Sequence, residues 1–143
     1  MPFCERLSEQ LAIVATIDPV AGASGAATTD VVAMGMHRRA MFILMRGVGT
    51  AGITCAIQEA NAGFTAGTAT ILTRAATAAD VAAEQHIFEV SAEAMGAGLT
   101  ALRGVFTSVG ADLYAVLVLA DVERYHPASD RDLGSVASIQ AAN

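Results

Sequence analysis

The sequence predicts an all-β protein, an antiparallel β-sandwich or jelly-roll-like barrel with extended N- and C-terminal arms and at most one or two short helical turns. Short segments rich in β-branched and aromatic residues recur about every ten residues and are separated by glycine-containing turns. Several of these segments alternate apolar and polar side chains, which is the period of a strand with one buried face. We expect one domain over residues 1–143, with an arm at 1–10, the sandwich core at 11–122 and a tail at 123–143.

At the start of the chain, residues that interrupt regular structure mark the ends of the predicted elements. Leu11–Ile17 is rich in β-branched residues and predicts a strand, although apolar spacing from Phe3 to Val14 is also compatible with a helix. Asp18-Pro19 ends either element. Ala21–Thr29 is small and polar and predicts a loop, and Val31–Met34 predicts a short strand.

The centre of the chain, Arg38–Glu59, predicts a β-hairpin. Two apolar runs, Ala40–Met45 and Ile53–Ile57, flank a connector with three glycines, at which positive φ angles cost little. The second run alternates apolar and mixed positions. The first run is apolar on both faces, which is expected of a strand that is buried on two sides.

The second half of the chain repeats this pattern. Ala75–Ala83 is Ala-rich and fits a helical turn or a long exposed loop, and Ser91–Met95 predicts a single helical turn with Ser91 as its N-cap. Four segments predict strands, the last two of them paired as a second hairpin: Thr68–Thr73, Glu84–Ser91, Leu99–Val109 and Leu113–Val122.

Residues that could perform chemistry are present but not grouped. The three histidines, His37, His86 and His126, lack metal-ligand spacing, and no serine or cysteine lies in a nucleophile motif. The pair Gly47-Val-Gly49 leads into a strand rather than a helix, so it does not predict a phosphate site. We therefore expect no catalytic residue, no metal and no cofactor, and a protein that is not an enzyme. The two cysteines should be reduced structural thiols.

Composition restricts the possible partners. The net charge is −6 and no basic stripe is present, which argues against nucleic acid. The longest strongly apolar run, Leu113–Ala120, is too short to cross a bilayer, and residues 1–10 do not resemble a signal peptide, so we expect an intracellular product that is not a membrane protein. Only 15% of residues are charged and 54% are hydrophobic, which indicates that another chain normally covers part of the surface.

Two polar segments are the best candidates for such contacts, because arginine and tyrosine often anchor protein interfaces. One is the pair of arginines before the central strand, and the other lies in the tail. The tail also carries apolar residues at Leu133, Val136 and Ile139, which could pack on a neighbour or on the same domain. The candidate contact residues are Arg38, Arg39, Arg124, Tyr125, His126, Asp130, Arg131 and Leu133.

The order of the segments resembles a known family. The successive pieces are SEQLAIVATIDP, TTDVVAMGMHRRAMFILMRG, TCAIQEANAG, LTALRGVFTSVG and ERYHPASDRDLGSV. From about Ser8 to Val136, this pattern resembles the small β-sandwich virion proteins that many long-tailed bacteriophages encode beside the major capsid gene.

The resemblance implies a capsid decoration (cement) protein that is made in the bacterial host cytoplasm and binds the outer capsid surface. Its partners would be the phage major capsid protein and further copies of itself, as a dimer or trimer. A tail-tube or head–tail connector protein is the alternative within the virion. A carbohydrate-binding module is a third possibility, weakened by the absence of Trp and an aromatic content of 5%.

Overall fold

The computed structural model describes residues 11–21, 25–49, 52–75 and 84–121. These residues form nine strands and one 3₁₀ turn. The strands are β1 (Leu11–Ala21), β2 (Gly25–Thr28), β3 (Val32–Ala33), β4 (Arg39–Arg46), β5 (Ile53–Ala60), β6 (Ala69–Arg74), β7 (Gln85–Ser91), β8 (Ala101–Ser108) and β9 (Leu113–Asp121), and the turn spans Ala92–Ala94.

The strands form two antiparallel sheets. The four-stranded sheet has the order β1-β9-β4-β7, and the five-stranded sheet has the order β2-β8-β5-β6, with β3 also paired to β8. The predicted all-β sandwich is therefore confirmed. The barrel form of that prediction is wrong, because the described strands remain in two separate sheets.

Both predicted hairpins are wrong. β4 pairs with β7 and β9, whereas β5 pairs with β6 and β8, so the connection at 47–52 crosses from one sheet to the other. The connection between β8 and β9 crosses back in the same way. Packed sheets lie only about 10 Å apart, which a connector of this length can span.

Edge strands explain the other differences from the predicted elements. β1 continues through Pro19 to Ala21, and the pairing register shifts between Ile17 and Val20, where proline cannot donate a ladder hydrogen bond. Residues 25–28 pair with β8 as a short edge strand within the segment predicted as a loop.

The helical turn after Ser91 is confirmed, without a side-chain cap. Residues 1–10, 76–83 and 122–143 lie outside the described residues, and with them both predicted arms.

The core lies between the two sheets and is formed by every second side chain of the strands. Phe42 and Leu44 of β4, Ile57 of β5 and Phe106 of β8 are fully buried, and Cys55 is buried among them, as predicted. Alternate residues of β4 and β9 face away from this core. Within the described residues, no helix is long and apolar enough to cross a membrane.

Tyr114 gives the fold a sensitivity to alkaline pH. Its side chain is buried in β9, and burial, together with a smaller effect of Cys55, raises the pKa of Tyr114 above its ordinary value of 10.0. The unfolded chain therefore loses the Tyr114 proton first, and the contribution to stability that is present below about pH 10 is lost as pH rises through the folded-state pKa. We expect the urea midpoint to fall more steeply above about pH 10 than it does in Tyr114→Phe. Equal slopes in the two proteins would contradict this assignment.

Candidate functional site

The predicted pair Arg38 and Arg39 forms a corner at the start of β4 that is fixed by Asp121. The backbone N–H groups of Arg38 and Arg39 donate to Asp121 Oδ1 at 2.9 and 3.2 Å. The His37 ring donates from Nδ1 to the Asp121 backbone oxygen at 2.6 Å. The end of β9 thus holds the chain just before β4, and both arginine side chains project from a fixed backbone.

An open depression of about 680 Å³ lies at this corner. Its lining consists of Arg38, Arg39, Ser91, Ala92, Glu93 and Asp121. The backbone N–H of Ala92 donates to the Arg38 oxygen at 2.8 Å, which joins the 3₁₀ turn to the corner. The depression combines two guanidinium groups, two carboxylates and a hydroxyl in an open setting, so it suits the polar side chains and backbone of another protein.

The structure brings together only part of the predicted contact set. Arg38 and Arg39 are both exposed at the corner, and Arg39 Nη1 lies 3.5 Å from Glu89 Oε1. The six predicted tail residues, Arg124, Tyr125, His126, Asp130, Arg131 and Leu133, lie outside the described residues. Sequence reasoning missed Asp121, although an acid that directly follows the apolar run Leu113–Ala120 was a usable signal.

A second surface, which we call the outer face, is the side of the four-stranded sheet that points away from the core. Its apolar members include Ile87, Leu113 and Met45, which are 61%, 47% and 39% exposed. The central members are half-buried and do not belong to the core cluster: Ile13, Met41, Ile43, Leu117 and Leu119. Monomeric proteins rarely leave a continuous apolar surface of this kind uncovered, so the outer face is a candidate for protein contact.

The outer face continues onto the end of the sandwich opposite the corner. Gly47 and Leu113 are joined by a backbone hydrogen bond of 2.8 Å, and the Leu113 N–H donates to the Val48 oxygen at 3.0 Å. Val48 and Val109, on the two connections between the sheets, are 70% and 67% exposed.

A buried ion pair closes this opposite end of the sandwich. Arg46 Nη2 lies 2.9 Å from Asp112 Oδ1, and both side chains are almost completely buried. Ser108 Oγ lies 2.7 Å from Asp112 Oδ2. A Cβ atom at Gly49 would overlap Asp112 Oδ1, so a glycine is needed there to let the connector pass. The cluster joins β4 to the β8–β9 turn and faces the interior, which gives it a structural role.

The remaining titratable side chains of the described ranges are dispersed. No group of three or more His, Cys, Asp or Glu residues that could hold a metal ion is found in those ranges. His37 lies at the corner, whereas His86 Nε2 lies 3.4 Å from Glu84 Oε2 beside β7.

No protein-family model matches the chain, and neither does any curated protein.

Proposed function

We propose that the protein is a virion structural protein that decorates the outer surface of an icosahedral bacteriophage capsid and stabilises it by bridging neighbouring major capsid subunits. The observation that supports this proposal most directly is the open corner, where two exposed arginines project from a backbone fixed by Asp121. The sequence resemblance supplies the class of partner, and the sandwich fold is the one that the resemblance implies.

The corner would act as a polar grip. Each guanidinium carries five N–H donors in a planar fork, which suits carboxylates and backbone carbonyls on a folded protein surface. The hydrogen bonds from Arg38 and Arg39 to Asp121 hold the backbone before binding, so less conformational freedom is lost on contact. Many copies with weak individual contacts would suffice, because bridging two subunits raises the effective concentration of the second contact.

The test is binding to capsids that lack their decoration, measured by sedimentation and counted by electron microscopy. We expect saturation at a fixed ratio to capsid subunits and shells that resist heat better when saturated. The double substitution of Arg38 and Arg39 by alanine should weaken binding at least about 30-fold, as expected when arginine anchors are lost. Arg74→Ala, on β6 of the other sheet, is an arginine control away from the corner and should bind like the wild type.

Two results would overturn the proposal. If the protein does not bind shells and instead forms rings or tubes by itself, the tail-tube or connector alternative replaces it. If it binds immobilised glycans and not shells, a carbohydrate-binding module replaces it.

A further inference from the structure

The apolar sequence of the outer face does not match its position on the outside of the two-sheet fold. β4 is apolar on both of its faces, the pattern of a strand buried on two sides, yet the second sheet covers only one of them. β9 repeats this pattern, with buried Val116 and Val118 on one face and half-buried Leu117 and Leu119 on the other. Because these two strands form the centre of the sheet, their residues on the face away from the second sheet form one continuous surface within the described part of the chain.

From this surface we infer that the outer face is the interface of a homodimer, in which the four-stranded sheets of two copies pack face to face. The rows of outward residues, read across β1, β9, β4 and β7, decide how the copies are oriented. Two complete rows follow from the strand register: Ile13, Leu119, Met41 and Glu89; then Thr16, Leu117, Ile43 and Ile87. At the corner end lie Asp121 on β9 and Arg39 on β4.

A two-fold axis parallel to the strands, between β9 and β4, makes the outer face complementary to itself. This axis reverses the strand order across the interface, so Leu117 meets the partner's Ile43. It also sets Asp121 opposite the partner's Arg39, and Arg39 opposite the partner's Asp121. An axis across the strands would instead set the charged end of one copy against the apolar end of the other, where Leu113 and Met45 lie, and would desolvate charges without pairing them.

Two charges of the outer face, Arg39 and Asp121, pair across this axis, whereas Glu89 at the edge of the sheet lies opposite the partner's Ile13. The outward positions of β9, β4 and β7 carry three charges, Arg39, Asp121 and Glu89, and all three lie toward the corner end. Asp18, an exposed residue at the irregular part of β1, lies toward the opposite end. Glu89 lies on the edge strand β7, where its half-exposed carboxylate already faces Arg39 at 3.5 Å. The centre of the face is therefore neutral, and the chain's net charge of −6 is carried mainly elsewhere.

The size of the outer face is sufficient for a weak dimer. Strand spacing and rise make it roughly 20 Å by 25 Å, so that two copies would bury on the order of 1,000 Å². Specific interfaces begin at about this total area. We therefore expect a dissociation constant of order micromolar.

The dimer has a consequence that rests on the proposed function. With the axis parallel to the strands, the corners of both copies lie at the same end of the dimer. Arg39 then pairs with the partner's Asp121, so exposed Arg38 is the corner arginine that remains for a capsid contact. One dimer could then contact two neighbouring capsid subunits at once, which is the geometry that bridging requires.

The test uses sedimentation equilibrium of the full chain at concentrations that rise to about a hundred times the expected dissociation constant, without capsids, so that its outcome is independent of shell binding. We expect a mass of twice the 14.6 kDa of one chain. Ile43→Asp and Leu117→Lys should each weaken self-association at least about a hundredfold, because each buries a charge without a partner. Mixed together, the two variants should form a heterodimer, since Asp at 43 then faces Lys at 117 across the axis while the second contact stays apolar.

Controls keep this test separate from folding. Leu72→Asp, on β6 of the other sheet and exposed to a similar degree as Met45, should leave the dimer intact. Ile87→Lys changes a side chain that is already 61% exposed, so it should weaken the dimer without altering the circular dichroism spectrum. A trimer, or a dimer unaffected by Ile43→Asp, would overturn the inference. A wild-type monomer whose melting temperature falls on Ile43→Asp would also overturn it and would assign the outer face to a segment of the same chain.

Discussion

Replacement of Asp112 by alanine is expected to lower the free energy of unfolding by about 3–5 kcal/mol. The substitution removes the carboxylate that lies 2.9 Å from Arg46 Nη2 and leaves a guanidinium that is 1% exposed in the interior without it. It also removes the acceptor 2.7 Å from Ser108 Oγ. A domain of this size has a total stability of about 5–15 kcal/mol, so the loss would be a large fraction of it.

Urea denaturation followed by circular dichroism measures this loss. The informative control is the double variant Arg46→Met with Asp112→Ala, which removes the buried charge together with its carboxylate. We expect the double variant to be more stable than Asp112→Ala alone, because it does not leave the buried Arg46 guanidinium without the Asp112 carboxylate. If the double variant is no more stable than Asp112→Ala alone, Arg46 and Asp112 do not act as a pair.

The strands could be predicted from the sequence because alternation is a local signal. Gln85–Ser91 and Leu113–Asp121 were found within one or two residues, since one face of each strand is apolar at every second position. The partners of each strand could not be found in the same way. A glycine-containing connector of six residues is equally suitable for a hairpin and for a crossing between sheets. The sequence therefore predicts a hairpin of β4 and β5, although the two strands lie in different sheets.

The candidate site was predictable to a similar extent. Arg38 and Arg39 were found because consecutive arginines beside a turn are a local pattern. Asp121, which fixes them, lies 82 residues further along the chain from Arg39, and Arg46 lies 66 residues from Asp112. Contacts of such separation depend on which strands become neighbours, which spacing along a sequence does not encode. The sequence shows that β4 is apolar on both faces. It does not show which face packs against the second sheet, because that depends on the strand order.

Gly104→Val is expected to destabilise the fold by about 3 kcal/mol, because the core has no room for a side chain at this position. Gly104 is an inward position of β8, and a Cβ atom there would lie 2.5 Å from Phe106 Cε2 and 3.2 Å from Phe42 Cδ1. Both rings are fully buried, so neither can move into solvent. The backbone is fixed as well, since Gly104 N–H donates to Thr29 Oγ1 and its oxygen accepts from Thr29 N–H, each at 2.9 Å.

Thermal and urea unfolding of a matched pair separate this packing effect from the general effect of replacing glycine. Gly104→Ala should lower the free energy of unfolding by about 1–3 kcal/mol, whereas Gly35→Ala, which would meet no atom within 4 Å, should change it by less than about 0.5 kcal/mol. Adding Phe106→Leu to Gly104→Val should recover part of the loss, because the smaller side chain vacates the space that valine needs. If Phe106→Leu instead adds its own full cost, the strain at Gly104 does not arise from the ring, and the close packing of Phe42, Gly104 and Phe106 is not what holds the two sheets together at this point.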